Sequence, residues 1–484
     1  MKKVFFAALG AAIVFASSCK KDSQDSFGSV QKELVTGAIV DTLTGNITVN
    51  TTVTKTTYLK GIVFVKPGVT LTVNAGVTIK GSNGPTGVDS TQLQNAKGTL
   101  IVERGAKLIA NGTASSPIIW TSEQTSGSKD FGDWGGIVIN GNSHVVTALG
   151  ASTNINEAFA GFVQNTGNRF TYGNATPNSV DNSGSITFNR IEFAGGTVTA
   201  ANREVNGLTL CGVGSGTTIN HVEVSNSGDD AFEFFGGSVN LDHLLSFGNK
   251  DDDYDFDEGY NGRLQFIIAY RTDLADNSGS QIIELDNNST STIHAGRPRT
   301  LPFIANATFI GPSSLTPRAF NLAGAPIASS FFANTIFVRR SGLLRFLNSV
   351  VSPGALPNLF TTTPTTNASF LLAPTAPDAS AVLNNLFEPG VASQKVRLAS
   401  NEGNPSITTY NSALETQFSS YGTSFLANYA AFKLGAALQP IAGSPALSGG
   451  FNLGAYGFVA TTQRGAVRTT DIWTAGSWIS TAIH

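Results

Sequence analysis

Cysteine, histidine and charged residues are scarce in this sequence. Its 484 residues include 2 cysteines, 5 histidines and 1 methionine, and 13% of them are charged. Two cysteines exclude a network of disulfide bonds, and so few thiols and imidazoles disfavour a zinc site. The formal net charge is -3, and no run of Lys and Arg occurs. Nucleic acid is bound through clustered basic side chains, so it is not an expected partner.

The N-terminus has the pattern of an export signal. The apolar run from Val4 to Phe15 follows two lysines and is too short to span a bilayer comfortably. Residues Ala16 to Cys19 resemble the lipobox of bacterial lipoproteins, whose cysteine is lipidated. We predict a signal peptide at 1–18, lipidation of Cys19, and a tether with an N-terminal cap at 19–42. The alternative is an ordinary secretory signal in which Cys19 is incidental.

The charged residues after Cys19 indicate where in the cell the protein is located. Lys20 to Asp25 resemble the tag that sends some lipoproteins to the outer face of the outer membrane. We therefore expect a lipid-anchored protein of the outer membrane, exposed at the cell surface. If Cys19 is acylated, Cys211 has no disulfide partner, and we expect it to be a buried free thiol.

Short apolar segments closed by turns dominate the rest of the chain. The chain contains 52 glycines, which suit tight turns, and stretches such as TLTVNAGVTIKG and GTLIVERGAKLIANGT alternate apolar and polar residues. Asn-Gly pairs are too few for a barrel of hairpins. The pattern therefore predicts an all-β protein, a single-stranded right-handed parallel β-helix at 43–351. Residues 352–484 are expected to form irregular coils and a C-terminal cap containing Trp473 and Trp478.

A repeat of 22 residues supports the β-helix. HVEVSNSGDDAFEFFGG, from His221, aligns with HLLSFGNKDDDYDFDEG, from His243. Equivalent residues of adjacent coils stack about 4.8 Å apart, so His221 is expected to stack on His243. One predicted strand column comprises residues 208–210, 232–234, 254–256 and 283–285, and a second comprises 191–193, 222–224, 244–246 and 267–269. Within the first, the flanking residues should point inward and the middle residue outward.

The outward positions and the preceding corner carry many acids. Carboxylates about 5 Å apart repel by roughly 3 kcal/mol at an effective dielectric of about 20, so a bridging cation is one explanation. Oxygen-only ligands suit calcium. The predicted calcium ligands are Asp229, Asp230, Glu233, Asp251, Asp252, Asp253, Asp255, Asp257 and Glu284. A solvated acidic face remains the alternative.

Two further sets of residues are functional candidates. A calcium-dependent polysaccharide lyase would need a base, for which Lys250, Arg263 and Arg271 are candidates, although surface charge pairing also explains them. Trp134 in GDWGG either packs in the core or offers a stacking surface to a sugar. Gly228-Asp229-Asp230 resembles one motif of the polygalacturonases, but the other motifs of that family are missing.

GDWGGIVINGN, GDDAFEFFGGSVN and DDDYDFDEGYNGRLQ resemble a family of exported bacterial β-helix proteins, many of them surface lipoproteins. The resemblance spans about 43–286 and returns at 464–480. It implies the fold and the exported state, and it supplies no activity. Our leading hypothesis is a surface lipoprotein that binds extracellular glycan or another surface component such as a protein, as an adhesin does. The alternatives are a glycan-cleaving enzyme and a purely structural surface protein.

Overall fold

The computed structural model describes residues 41–162, 169–199, 203–275, 279–314, 316, 332–369, 379–389, 395–402 and 404–480. The predicted signal peptide, Cys19 and nearly all of the predicted tether lie outside these residues. Within them, no helix is both long and apolar enough to cross a membrane.

Strands make up most of the regular structure. They are β1 (Thr42–Ile47), β2 (Thr51–Val53), β3 (Thr57–Val65), β4 (Thr70–Val73), β5 (Thr78–Gly81), β6 (Thr99–Val102), β7 (Lys107–Asn111), β8 (Ile118–Ser122), β9 (Gly136–Asn140), β10 (Thr153–Ile155), β11 (Thr171–Gly173), β12 (Gly184–Glu192), β13 (Leu208–Cys211), β14 (Thr218–Ser225), β15 (Phe232–Phe235), β16 (Asn240–Phe247), β17 (Tyr254–Asp257), β18 (Arg263–Tyr270), β19 (Ile283–Leu285), β20 (Phe303–Ile310), β21 (Asn334–Val338), β22 (Arg345–Leu347), β23 (Val350–Ser352), β24 (Asn358–Thr362), β25 (Ala381–Leu383), β26 (Leu386–Phe387), β27 (Val396–Asn401), β28 (Asn404–Tyr410) and β29 (Ser424–Phe425). The helices are α1 (Pro364–Ser369) and α2 (Ser412–Ser420), with short 3-10 helices at Leu93–Asn95, Glu157–Phe162, Tyr429–Phe432, Pro445–Leu447, Gly454–Tyr456 and Trp473–Ala475.

Successive coils pair in parallel and build three faces. Face 1 contains the second half of β3, then β6, β9, β13, β15, β17, β19, β21, β24 and β27. Face 2 contains β2, β4 and β7, the first halves of β12, β14, β16, β18 and β20, then β22 and β25. Face 3 contains β5, β8, the second halves of the same long strands, β23, β26 and β29. The parallel β-helix is therefore confirmed, and its coils continue beyond residue 351 as far as β29.

The first predicted column has the expected register. Phe232 pairs with Tyr254, and Tyr254 pairs with Ile283 on the next coil. The inward rings stack: the Phe232 and Tyr254 centroids lie 5.3 Å apart, and those of Phe234 and Phe256 lie 4.7 Å apart. Each such aromatic contact contributes about 0.5–1.5 kcal/mol beyond the burial of its area.

The register predicted for the second column is wrong for its first segment, 191–193. Ile191 pairs with Val224, and Asn189 is the residue that pairs with Val222. The alignment from sequence was therefore two residues out at 191–193. A shift of two keeps the same side chains on the same side of a strand, so alternation alone does not distinguish the two registers.

A column of left-handed residues lies between faces 2 and 3. It divides the long strands and, on later coils, separates β22 from β23 and β25 from β26. Its members are Phe188, His221, His243, Phe266, Asn306, Asn348 and Asn384, each with φ between 52° and 58°. Residues other than Gly and Asn rarely adopt this conformation, which costs roughly 1–2 kcal/mol. The aromatic members offset the cost by stacking, since the His221 ring lies 4.3 Å from both Phe188 and His243.

A second layer covers the N-terminal part of face 1. The outward residues Phe64, Ile101 and Val138 are fully buried beneath apolar side chains from the segments 88–96, 145–162 and 169–172. Cys211 lies in the same cluster as a buried free thiol, as predicted. The outward column thus changes from apolar to acidic where this layer ends.

The segment 448–480 lies along the side of the β-helix and runs back across earlier coils. The side chain of Asn348 contacts the backbone of Phe451, and the side chain of Gln265 contacts the backbone of Val459. Farther back, both oxygens of Glu223 accept hydrogen bonds from Ser480. Trp473 and Trp478 therefore cover a flank of the solenoid, whereas the sequence suggested that they cover its end.

Candidate functional site

The acids collect at the corner between faces 3 and 1 and on the outer side of face 1. Asp230 and Asp252 occupy equivalent corner positions on successive coils. The backbone N–H of Asp252 donates to Asp230 Oδ1 at 2.8 Å, and the N–H of Gln281 donates to Asp252 Oδ1 at 2.6 Å. Each corner carboxylate therefore holds the backbone of the next coil. This gives the repeated aspartates a structural role besides any ligand role.

On face 1, the outward carboxylates stack directly. Thr209 pairs with Glu233, Glu233 with Asp255, and Asp255 with Glu284. Thr209 and Glu233 are buried, and Asp255 and Glu284 are partly buried. The column faces away from the main core, as predicted, but it is not a freely solvated face. The side-chain amide of Asn206 covers it by donating to Glu233.

Three groups of carboxylates have ligand oxygens within 4.8 Å of one another. They are Asp229 with Asp230 and Asp251, Asp230 with Glu233 and Asp255, and Asp252 with Asp255 and Glu284. Two oxygens on opposite sides of a calcium ion lie roughly 4.8 Å apart, because each Ca–O bond is about 2.4 Å long. The donor set contains only hard oxygens, so these residues fit calcium better than zinc.

Asp255 is shared by two of these groups. Its Oδ1 atom is buried and has no hydrogen-bond partner among the described residues. A buried carboxylate oxygen without a donor loses its hydration without compensation. The environment of Asp255 therefore favours a bound proton or a bound cation.

Burial and mutual repulsion raise the pKa values throughout the cluster. Burial, followed by the charge of Asp257, raises the pKa of Asp255 to about 8. Burial and neighbouring carboxylates also hold the pKa values of Asp230, Glu233 and Asp252 well above the usual range. Without a cation, part of the cluster is consequently protonated near neutral pH.

Two arginines from the following coil border the cluster. Arg339 Nε donates to Asp286 Oδ1 at 2.7 Å, and its Nη2 donates to Glu284. Arg340 Nη1 donates to Asp286 Oδ2 at 2.5 Å. Burial, followed by the charge of Arg340, lowers the pKa of Arg339 to about 10. The cluster therefore has a cationic border on its C-terminal side.

Glu258 follows β17 at the border of the cluster and has an unusual backbone conformation. Its φ is 52°, and the positions that precede it on earlier coils are Gly236 and Gly212. The Tyr172 hydroxyl donates to its Oε2 at 2.9 Å, and the Asn154 amide donates to its Oε1 at 2.7 Å. Burial, followed by the charge of Asp257, raises the pKa of Glu258 to about 8. A glutamate held at a position suited to glycine indicates a role for its side chain.

Two predicted ligands do not join the three carboxylate groups. Asp253 points into the interior, where it pairs with Arg271 at 3.3 Å and both side chains are fully buried. Asp257 lies two positions along β17 from Asp255 and accepts from the N–H of Glu258 at 2.5 Å. The structure brings together the other predicted ligands, Asp229, Asp230, Glu233, Asp251, Asp252, Asp255 and Glu284.

The three residues predicted as candidate bases make contacts with other side chains or with the backbone. Arg271 is buried with Asp253, and its guanidinium also donates to the carbonyls of Gln281 and Asp251. Arg263 lies 5.9 Å from the ring of Phe458, beneath the C-terminal segment. Lys250 is partly buried, with its Nζ 5.6 Å from the ring of Phe131. The prediction of Arg271 as an accessible base is therefore wrong.

Trp134 is fully buried, and its indole N–H donates to the carbonyl of Glu192 at 2.9 Å. A buried indole has no face for a sugar, so the sugar-stacking hypothesis is wrong and the core interpretation is supported. His221 and His243 stack as predicted.

Sequence reasoning missed several residues of the site. They are Glu157, Asn206, Glu258, Asp286, Arg339 and Arg340. Asp286 was detectable, because IELD at 283–286 repeats the spacing of YDFD at 254–257. Arg339 and Arg340 lie more than 50 residues beyond Glu284 and follow no fixed repeat. Glu157 belongs to the covering layer, at an exposed rim from which its charge acts on Glu233.

Comparison with known proteins supports the architecture. A family model described as a pectate-lyase-like β-helix domain matches residues 42–337. Comparisons with curated proteins and with solved structures find no match. The matched range contains the acidic corner, the face 1 column and Glu258.

Proposed function

Since the chain belongs to the family of pectate-lyase-like β-helix domains, we propose that it binds an extracellular glycan through calcium held by the acidic cluster. Family membership fits a protein that binds or cleaves glycans. The observation that carries the calcium proposal is the position of Asp255, which contributes to two carboxylate groups and has a buried oxygen without a donor among the described residues.

The cluster is suited to calcium on chemical grounds. Its carboxylates repel one another and are partly shielded from water, so a bound cation would remove a cost that the folded protein otherwise bears. Bound calcium would supply a positive centre that also accepts hydroxyl or carboxylate oxygens of a sugar. Asp255 and Glu284 are partly exposed and lie nearest to such a ligand, while Asp230 and Asp252 hold the coils beneath them.

The proposed location is the cell surface, through a lipid on Cys19. This part rests on the N-terminal sequence alone. Replacement of Cys19 by Ser should move the full-length protein from the membrane fraction to the soluble fraction. Continued membrane association of that variant would contradict the lipoprotein proposal and leave the glycan proposal untouched.

Glycan cleavage by a lyase is a second candidate. The observation that favours it is Arg339, a partly exposed guanidinium beside the acids, whose pKa burial lowers to about 10. A lowered pKa brings a side chain closer to the range of a general base. Its two bonds to Glu284 and Asp286 oppose this role, so we rank binding first.

The deciding experiment measures thermal unfolding of residues 20–484 in calcium and in chelator. A ligand bound only by the folded state raises the melting temperature. We expect a clear increase in calcium, followed by calcium-dependent binding of acidic polysaccharides in a glycan screen. Ultraviolet absorbance of unsaturated sugar products would identify a lyase. Equal melting temperatures in calcium and chelator would contradict the calcium proposal and favour a structural or adhesive role.

A further inference from the structure

A cleft separate from the acidic cluster lies between the corners of the coils and the segment 429–438. It has a volume of about 770 Å³, which is within the range of sites for small ligands. One wall consists of the residues that leave face 3 on successive coils, among them Tyr270, Ser352 and Glu388. The other wall contains Tyr429 and residues 434–438.

The C-terminal wall is fixed in place. Phe432 is fully buried and packs with Val350 and Leu386 of the coils. The Ser444 hydroxyl donates to the Phe432 carbonyl at 2.5 Å, and Asn428 caps the short helix Tyr429–Phe432 by accepting from the N–H of Ala431. The cleft is therefore bounded by two ordered surfaces.

Phenols and carboxylates converge in this cleft. Tyr429 is 40% exposed, and Tyr270 is partly exposed. Burial raises the pKa of Tyr429, and Tyr270 and Glu388 raise it further, since these groups lie close enough to interact. Glu388 accepts from the Ser352 hydroxyl at 2.5 Å, which fixes the orientation of its carboxylate.

The charge of the lining is negative. Asp273 and Glu388 contribute two carboxylates. Arg271 also borders the cleft, but it is only 2% exposed and its guanidinium is engaged with Asp253. An acidic ligand would therefore be repelled, whereas hydroxyl groups can bond to both the phenols and the carboxylates. A positively charged amine would add attraction to the carboxylates.

We propose that this cleft binds a non-acidic saccharide and prefers a sugar that bears an amine. The exposed ring of Tyr429 supplies an apolar surface for the C–H face of a pyranose, and Glu388 and Asp273 supply acceptors for its hydroxyl or ammonium groups. This inference does not depend on the calcium proposal, because the two sites share no residue.

Isothermal titration calorimetry with three trisaccharides tests the inference. The probes are linear trimers of glucosamine, glucose and galacturonate, each titrated into the full chain in chelator so that a calcium site cannot contribute. We expect the glucosamine trimer to bind most tightly, the glucose trimer more weakly and the galacturonate trimer not at all. Absence of binding by both non-acidic trimers, or tightest binding of galacturonate, would overturn the inference.

Variants locate the binding site. Glu388→Gln retains an acceptor for Ser352 and removes the charge, and Tyr429→Ala removes the ring. Each should weaken glucosamine-trimer binding by about tenfold or more. Tyr421→Ala is the matched control, because Tyr421 is 39% exposed and lies at the end of α2, outside the cleft lining. Unchanged affinity in both cleft variants would place any binding elsewhere and overturn the assignment.

Discussion

The imidazole ring of His221 lies on that of His243, with centroids 4.3 Å apart and ring planes 7° apart. Phe188 and Phe266 continue the stack on the adjoining coils. The edges of Trp478 and Trp473 pack against the two histidines. The stack therefore joins the coils to the C-terminal segment, and a charge placed in it should weaken both.

We expect His221→Phe to reduce the loss of stability in acid. Burial, followed by the charge of His243, lowers the pKa of His221 from 6.5 to about 4. The folded state therefore binds fewer protons than the unfolded state, so stability present above about pH 6.5 is lost as the pH falls towards 4. Phe occupies equivalent positions at 188 and 266, so the variant keeps the stack. Urea unfolding followed by tryptophan fluorescence at both pH values measures the effect.

His294 provides the control for this prediction. It lies outside the left-handed column, with its Nε2 3.1 Å from the carbonyl of Ala148. His294→Phe is the matched substitution, because it replaces an imidazole outside the His221–His243 stack by the same side chain. An identical acid loss in His221→Phe and the parent would contradict the role assigned to His221.

Asp255→Asn should separate the calcium site from the fold. The substitution removes one repelling charge, so the melting temperature in chelator at pH above 8 should stay the same or rise. It also removes a shared ligand, so most of the increase caused by calcium should disappear. Differential scanning calorimetry in calcium and in chelator measures both. Asp89→Asn, at an exposed carboxylate outside the cluster, is the control. A calcium increase of normal size in Asp255→Asn would argue against this ligand set.

In chelator, the stability contributed by the acidic cluster should fall as the pH rises from about 4 to about 8. Burial raises the pKa values of Asp255 and Glu258 to about 8 and that of Asp257 to about 6. These folded-state values exceed the unfolded values near 4, so the stabilisation present at low pH is lost as the pH passes through them. The increment due to calcium should consequently grow over the same range. Chemical unfolding at about pH 5 and pH 8.5 tests this, and an increment independent of pH would count against it.

Asp253→Ala should destabilise the fold whether or not calcium is present. It leaves the Arg271 guanidinium buried without its partner, a change that costs about 3–5 kcal/mol. The double variant Asp253→Leu with Arg271→Met should recover much of the loss, because no unpaired charge remains. Urea unfolding in calcium and in chelator gives the free energies. A loss confined to calcium would instead make Asp253 a ligand.

The sequence was sufficient for the coil repeat and for much of the acidic column. Phe232 and Tyr254 follow a constant offset, and inward aromatic residues require that register because they stack. Six of the seven ligand candidates that meet in space are on the two coils with this offset, and the seventh, Glu284, is on the next coil at a longer offset. Ile191 was misplaced because a shift by two residues leaves its alternation unchanged.

The remaining part of the site depends on contacts between distant segments. Glu157 comes from the layer over face 1, whose loops carry no repeat. Asn206 lies on the coil itself, two residues before β13, where its amide contacts Glu233. The side chain of Asp253 points in a different direction from that of Asp252. The positions of Arg271 and Ser246 explain why Asp253 points into the interior. Trp134 could not be assigned from its own motif, since a tryptophan beside glycines is compatible with burial or exposure.

The segment along the flank has a consequence for how the protein is made. Coils of a solenoid contact chiefly their neighbours, so they can be added one after another as the chain emerges. Ser477 instead contacts the carbonyl of Ala114 across 363 residues, and Ser480 contacts Glu223 across 257. The side of the β-helix that carries His221 and His243 must therefore remain exposed to water until Trp473 and Trp478 have been synthesised. Its closure is therefore a late event in synthesis, which can occur only after Trp473 and Ser480 have been added.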